Sequence, residues 1–166
     1  MPPAFNLSFS VSLPVKLVNW SNGSQGISRV AMLRKSRIRK SQRGIAKIAV
    51  GAKVRAMVIA PDMWLPIVVT MTRVSPRAFD DDGLRSALKS IRDGIADVFG
   101  IADNTPYIEW RYEQRRGAVR EYGVEIFVQR APNGLQAIWD NKARERFKSY
   151  RVRWSKPDES MGGEIE

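Results

Sequence analysis

The stretch S-P-R-A-F-D-D-D-G-L-R-S-A-L-K-S-I-R-D-G-I-A-D-V-F-G-I-A-D-N, residues 75–104, decides the fold. Leu84, Leu88, Ile91, Ile95 and Val98 recur at intervals of four, three, four and three, so one apolar stripe runs down a helix and faces a core. The same register puts Asp82, Arg85 or Ser86, Lys89 and Asp93 on another face. Asp82 is expected to cap the helix start and Gly100 to close its end. Just upstream, I-V-V-T-M-T-R-V at 67–74 is a β-branched run that reads as a buried strand. Three consecutive carboxylates, Asp80, Asp81 and Asp82, therefore stand where a strand ends and a helix begins, and Asp103 follows in the loop after the helix. One acid at a helix start is explained by capping. Three crowded together repel one another, and a bound cation is the usual compensation.

Outward from this stretch, the chain is long enough for one domain with a real core. Lys and Arg outnumber Asp and Glu by 28 to 17, a formal charge of +11, which calls for a polyanionic partner. No acidic residue precedes Asp62, so the first third is purely basic and the carboxylates gather in the middle and at the tail. There is no Cys and no His. Disulfides, zinc sites built on thiolate or imidazole, cysteine nucleophiles and His-dependent triads are thereby excluded. Oxygen donors remain, and they suit Mg²⁺, with Mn²⁺ as the second choice. With no apolar run of membrane-spanning length and no signal core, the expectation is a cytoplasmic protein without a membrane partner or a small-molecule cofactor.

Residues 5–13 alternate apolar and polar side chains, the period of a half-buried strand, and a polar loop follows at 19–26. From 28 to 53 the chain is crowded with cations, and a basic amphipathic helix is expected from about Ser41, after a basic loop or turn of helix. Residues 107–112 and 122–129 read as strands, joined through 114–120 as a hairpin, with Trp110 and Tyr112 on the sheet face or in the core. Residues 135–154 form a second basic element of near-helical spacing, and 155–166 are polar, acidic and expected to be disordered.

In the order V-V-T-M-T-R-V-S-P-R-A-F-D-D-D-G-L, L-K-S-I-R-D-G-I, G-I-A-D-N-T-P and G-V-E-I-F-V, the chain resembles the RusA-like crossover-junction endodeoxyribonucleases of phages and prophages. The resemblance implies an α+β fold with a mixed sheet packed by helices, a symmetric homodimer, and Mg²⁺-dependent cleavage of four-way or otherwise branched DNA. It implies a RusA-like endonuclease domain at 1–130; beyond it, composition and spacing give a basic, helical extension packed on the same domain at 131–154 and an acidic disordered tail at 155–166. The family's Asp-x-Asp-Asn-Leu core falls on residues 80–84, which makes Asp80 and Asp82 metal-binding carboxylates, with Asp103 as the later acid that completes the metal set. Gly83 stands where the family has Asn, Asp103 is flanked by Ala102 and Asn104 where a pair of acids is common, and the family's helix lysine falls near Ser86, leaving Lys89 as the nearest amine. The expected catalytic set is Asp80, Asp82, Asp103 and Lys89. The expected DNA-binding set is Arg34, Lys35, Arg37, Arg39, Lys40, Arg43, Arg73, Arg77, Lys142, Arg144 and Arg146. The alternative is a relative that binds DNA without cutting it.

Overall fold

A computed structural model describes residues 7–19, 28–59 and 64–131. The proposed extension beyond 131, with Lys142, Arg144 and Arg146, and the acidic tail lie outside the described residues. The elements run β1 (Ser8–Leu13), α1 (Arg29–Ala56), β2 (Ile67–Ser75), α2 (Asp81–Phe99), β3 (Ile108–Arg116) and β4 (Gly123–Arg130). This is an α+β arrangement of one four-stranded sheet and two helices, in strand order β1-β4-β2-β3. β2 and β3 are parallel, while β4 lies antiparallel to both β2 and β1, so the sheet is mixed.

β2 is hydrogen-bonded on both sides and buries Ile67, Val68, Val69, Met71 and Val74, with only Thr70 and Thr72 half-buried, which is why its sequence reads as a nearly continuous apolar run rather than an alternation. β1, at the edge, keeps the alternation: Val11 and Leu13 are buried while Ser8, Ser10 and Ser12 face out. The chain leaves β2, passes through α2 and returns as β3 parallel to β2, the helical crossover that parallel strands require. The expected hairpin between the last two strands is not formed. β3 and β4 lie on opposite sides of β2, and residues 117–122 carry the chain across the end of that strand. A hairpin would have left β2, the most apolar strand, with one ladder unpaired. Gly117 makes the crossing possible: its amide donates to Ser75 O at 3.0 Å, and a Cβ there would meet Val74 Cγ1 at 3.0 Å.

The α2 stripe behaves as its spacing requires, with Leu84, Leu88, Ile91 and Ile95 buried against Ile67, Val69, Met71, Ile108 and Ile126. Gly100 ends α2 in the left-handed conformation, φ 66°. α1 is longer than expected, beginning at Ser28, whose hydroxyl accepts from Ala31 N at 3.3 Å. Its second half packs on the body through Gln42, Ala46, Val50, Gly51 and Val54, whereas no residue from Arg29 to Ser41 is buried. The cation-crowded segment 28–40 conceals the helix because that half is carried by continuity with the packed half, not by an apolar face. The two helices touch at Gly94, where any side chain would run into the carbonyl oxygen of Arg43 and would lie 3.1 Å from Ala46 Cβ.

Candidate functional site

The acidic cluster forms the head of α2, immediately after the loop that leaves the C-terminal end of β2. Asp80 takes the capping role expected of Asp82. Its backbone is extended, φ −69° and ψ 164°, and its Oδ1 accepts from Gly83 N at 3.1 Å. Since the helix begins at Asp81, Asp81 and Asp82 occupy the first turn, where unpaired N–H groups and the helix dipole favour negative charge. All three carboxylates are exposed. Gly83 is buried beneath them, and a Cβ on it would overlap both Asp80 Oδ1 and Asn19 Nδ2. The missing side chain leaves Asp80 Oδ1 and Asn19 Nδ2 both bordering the space a Cβ would take. Asn19 is a site residue that no local pattern reveals, because the contact spans more than sixty residues of sequence.

Asp103 is placed differently. The loop after α2 turns back along the helix and sets its carboxylate on Arg92, with Lys89 Nζ 3.9 Å away, while its backbone oxygen accepts from Trp110 Nε1 at 2.8 Å. Arg92 also donates to Tyr112 Oη at 3.1 Å. Burial disfavours the Arg92 cation, but Tyr112 and Asp103 outweigh burial and hold its pKa above the ordinary arginine value. Lys89 is half-exposed and lies 3.6 Å from Asp93. Trp110 and Tyr112 thus sit on the sheet face as expected, and they also anchor Asp103 and Arg92.

The Asn19 atom nearest Gly83 is Nδ2, which donates hydrogen bonds and does not ligate, whereas carboxylate oxygens are the donors a hard divalent cation takes. Asp80 and Asp82 fit that chemistry as a pair within one turn. Among the described residues, however, no three acidic side chains gather into a metal-holding group, because Asp103 is drawn to Arg92 and Lys89.

The basic surface is dominated by α1. Its unpacked half, Arg29 to Ser41, projects about 20 Å at 1.5 Å per residue and carries Arg29, Arg34, Lys35, Arg37, Arg39 and Lys40 without a single acid in the helix. Like charges spaced three and four apart destabilise a helix, so the pattern serves a partner of opposite charge rather than the fold. Between α1 and α2 lies a groove of ≈ 270 Å³ lined by Ser36, Arg39, Lys40, Arg43, Lys89, Ser90 and one acid, Asp93. Lys89 and Ser90 share a face of α2 with Ser86 and Asp82, so the groove points toward the acidic head. Arg43 is committed elsewhere: Nε and Nη2 each donate to Asp97 at 2.8 Å, a bidentate pair that joins the two helices. That hydrogen bond raises the Arg43 pKa and holds the Asp97 carboxyl below its ordinary range.

Arg73 also departs from expectation. The sequence reading expects it on the DNA-facing surface, but it is buried, because it alternates onto the face of β2 that carries the core residues Ile67, Val69 and Met71. Its guanidinium stacks 3.4 Å from the Phe79 ring centroid and donates to Arg77 O at 2.7 Å and Ser75 Oγ at 2.9 Å. Arg77 itself is exposed.

No known family model matches the chain, and no curated protein sequence matches it.

Proposed function

We propose that this chain is a Mg²⁺-dependent, structure-selective endodeoxyribonuclease acting on four-way or branched DNA as a homodimer. The observation that carries the reading is the head of α2: three adjacent exposed carboxylates at the end of a central strand, in a protein whose remaining surface is strongly cationic. Three adjacent exposed acids on a DNA-binding surface repel phosphate unless a cation reverses their sign. Asp80 and Asp82 would hold Mg²⁺ or Mn²⁺, which supplies activation of water and charge neutralisation at the phosphodiester. The unpacked half of α1 grips the backbone through Arg34, Arg37, Arg39 and Lys40. Lys89, in the groove that leads to the acids, lies where a cation can offset charge on the phosphoryl oxygens. Asp103 orients Lys89 and Arg92. A two-fold dimer fits the substrate, since a four-way junction needs paired cuts in two equivalent strands.

A second reading, a DNA-binding relative that does not cut, is favoured by the ion pair between Asp103 and Arg92, which withholds the third carboxylate from the acidic head. Incubating the full chain with a synthetic four-way junction, with and without Mg²⁺, separates the two. Symmetric nicks that appear only with Mg²⁺ support the enzyme, and tight junction binding with no nicks in Mg²⁺ or Mn²⁺ supports the second reading.

A further inference from the structure

Beyond the acidic head, the ends of β2 and β3 and the loop between β2 and α2 enclose a pocket of ≈ 310 Å³ whose lining includes Arg73, Ser75, Arg77, Gln114, Arg115 and Arg116. Four of its eight lining residues are arginines and none is acidic. Arg115 is neutralised by Glu125 and by Glu121, 3.6 Å away. Arg73 is not: it is 4% exposed, and its partners are neutral, namely the Phe79 ring, a backbone oxygen, a hydroxyl and an amide oxygen at 3.5 Å. Among the described residues no carboxylate reaches Arg73, Arg77 or Arg116.

A buried cation without a counter-charge is costly, and proteins keep one only with a partner or a task. Burial pushes the Arg73 guanidinium below its ordinary pKa, the signature of a charge that lacks a compensating anion. The pocket supplies room for that anion, and Arg77 and Arg116 stand at its rim where a bound oxyanion would be shared by three guanidinium groups. Ser75 pairs with Arg116 in the sheet register, and Asp80 follows only five residues after Ser75. A phosphate held here would therefore belong to a strand that passes the acidic head.

We infer that this arginine pocket is a binding site for one phosphodiester of the DNA strand adjacent to the cleavage centre. The inference rests on the nucleic-acid reading above. It assigns Arg116, which sequence patterning passes over, a role equal to that of Arg77.

The test uses the full chain and the double variant Arg77→Gln/Arg116→Gln, in which both altered side chains are exposed. Inorganic phosphate, compared with chloride at equal ionic strength, should raise the wild-type Tm by about 5–10 °C at roughly a hundred times its Kd. It should leave the variant unmoved. In fluorescence anisotropy with a labelled four-way junction, losing one phosphate contact lowers the slope of log K against log salt by about 0.9, which is about eightfold in affinity at 0.1 M NaCl. A wild type that shows no phosphate-specific rise, or a variant that keeps it, overturns the pocket as an anion site. A variant that loses the phosphate response but keeps wild-type DNA affinity and salt slope overturns its assignment to the DNA strand. A wild type that binds phosphate but no DNA sinks the nucleic-acid reading and the strand assignment together.

Discussion

Replacing Gly94 by Val tests whether the α1–α2 contact fixes the groove that leads to the acidic head. Gly94 is buried in the middle of α2, and a Cβ there would enter the space of the Arg43 carbonyl oxygen and crowd Ala46 Cβ at 3.1 Å. The first obstacle is backbone, so no rotamer change relieves it, and α1 must move away. Overpacking of this kind costs about 1–3 kcal/mol, with the upper end expected where backbone has to shift. Val gains only about 0.4 kcal/mol over Gly in helix propensity. The net loss is about 2.5 kcal/mol, or a Tm about 5–10 °C lower at the 2–4 °C per kcal/mol usual for a chain of this size. Moving α1 also separates Arg39 and Lys40 from Lys89, so junction affinity should fall although no cation is lost. The assay is a thermal melt followed by circular dichroism, paired with anisotropy on a labelled junction. A Gly94→Val protein within 2 °C of wild type and with wild-type affinity would refute the close packing of the two helices.

The charge reversal Arg34→Glu/Arg37→Glu/Arg39→Glu on the unpacked half of α1 should weaken DNA binding for all sequences alike and flatten its salt dependence by about 0.9 per lost phosphate contact, with no fall in Tm because nothing there is buried and like-charge repulsion along the helix is relieved. Asp97 has a depressed folded pKa, so its contribution is present above the unfolded carboxylate value of about 3.9 and is lost as pH falls through the folded value. Asp97→Asn should therefore lower Tm at neutral pH and reduce the drop in Tm between about pH 4 and pH 2, as read by melts across that range. Arg92→Lys keeps a charge but cannot donate to Tyr112 and Asp103 together, so it should release the loop at 100–107 and speed amide hydrogen exchange at Asn104 and Thr105 relative to wild type.

Much of the fold is legible in one dimension because β2 and α2 are periodic and strongly apolar. Leu84, Leu88, Ile91 and Ile95 declare a helix, Gly100 its end, and the 67–74 run a covered strand. The features that escape are those decided by distant partners. The hairpin expectation for the last two strands fails because β2 outcompetes β3 as the neighbour of β4, a choice invisible in either strand alone. The first half of α1 is missed because Arg29 to Ser41 has no buried face to impose a helical period. At the site, the acids at 80–82 are conspicuous, but which of them caps the helix depends on a one-residue boundary. The pairing of Asp103 with Arg92, the approach of Asn19 to Gly83 and the burial of Arg73 all arise from tertiary contact. Arg92 lies three residues after Lys89 on a neighbouring face of the helix, and that spacing is the one sequence signal that could have flagged it.

The most direct test of the cleavage centre is a comparison of wild type with Asp82→Asn on a four-way junction in Mg²⁺, with binding measured on the same preparations. Asp82 lies in the first turn of α2 and is not the cap, so the substitution removes one charge and leaves the Asp80–Gly83 bond in place. The expected result is loss of nicking by orders of magnitude, with junction affinity unchanged or tighter because one repulsion toward phosphate is gone. An Asp82→Asn protein that nicks the junction at the wild-type rate with the wild-type Mg²⁺ dependence would contradict the placement of the metal at the head of α2.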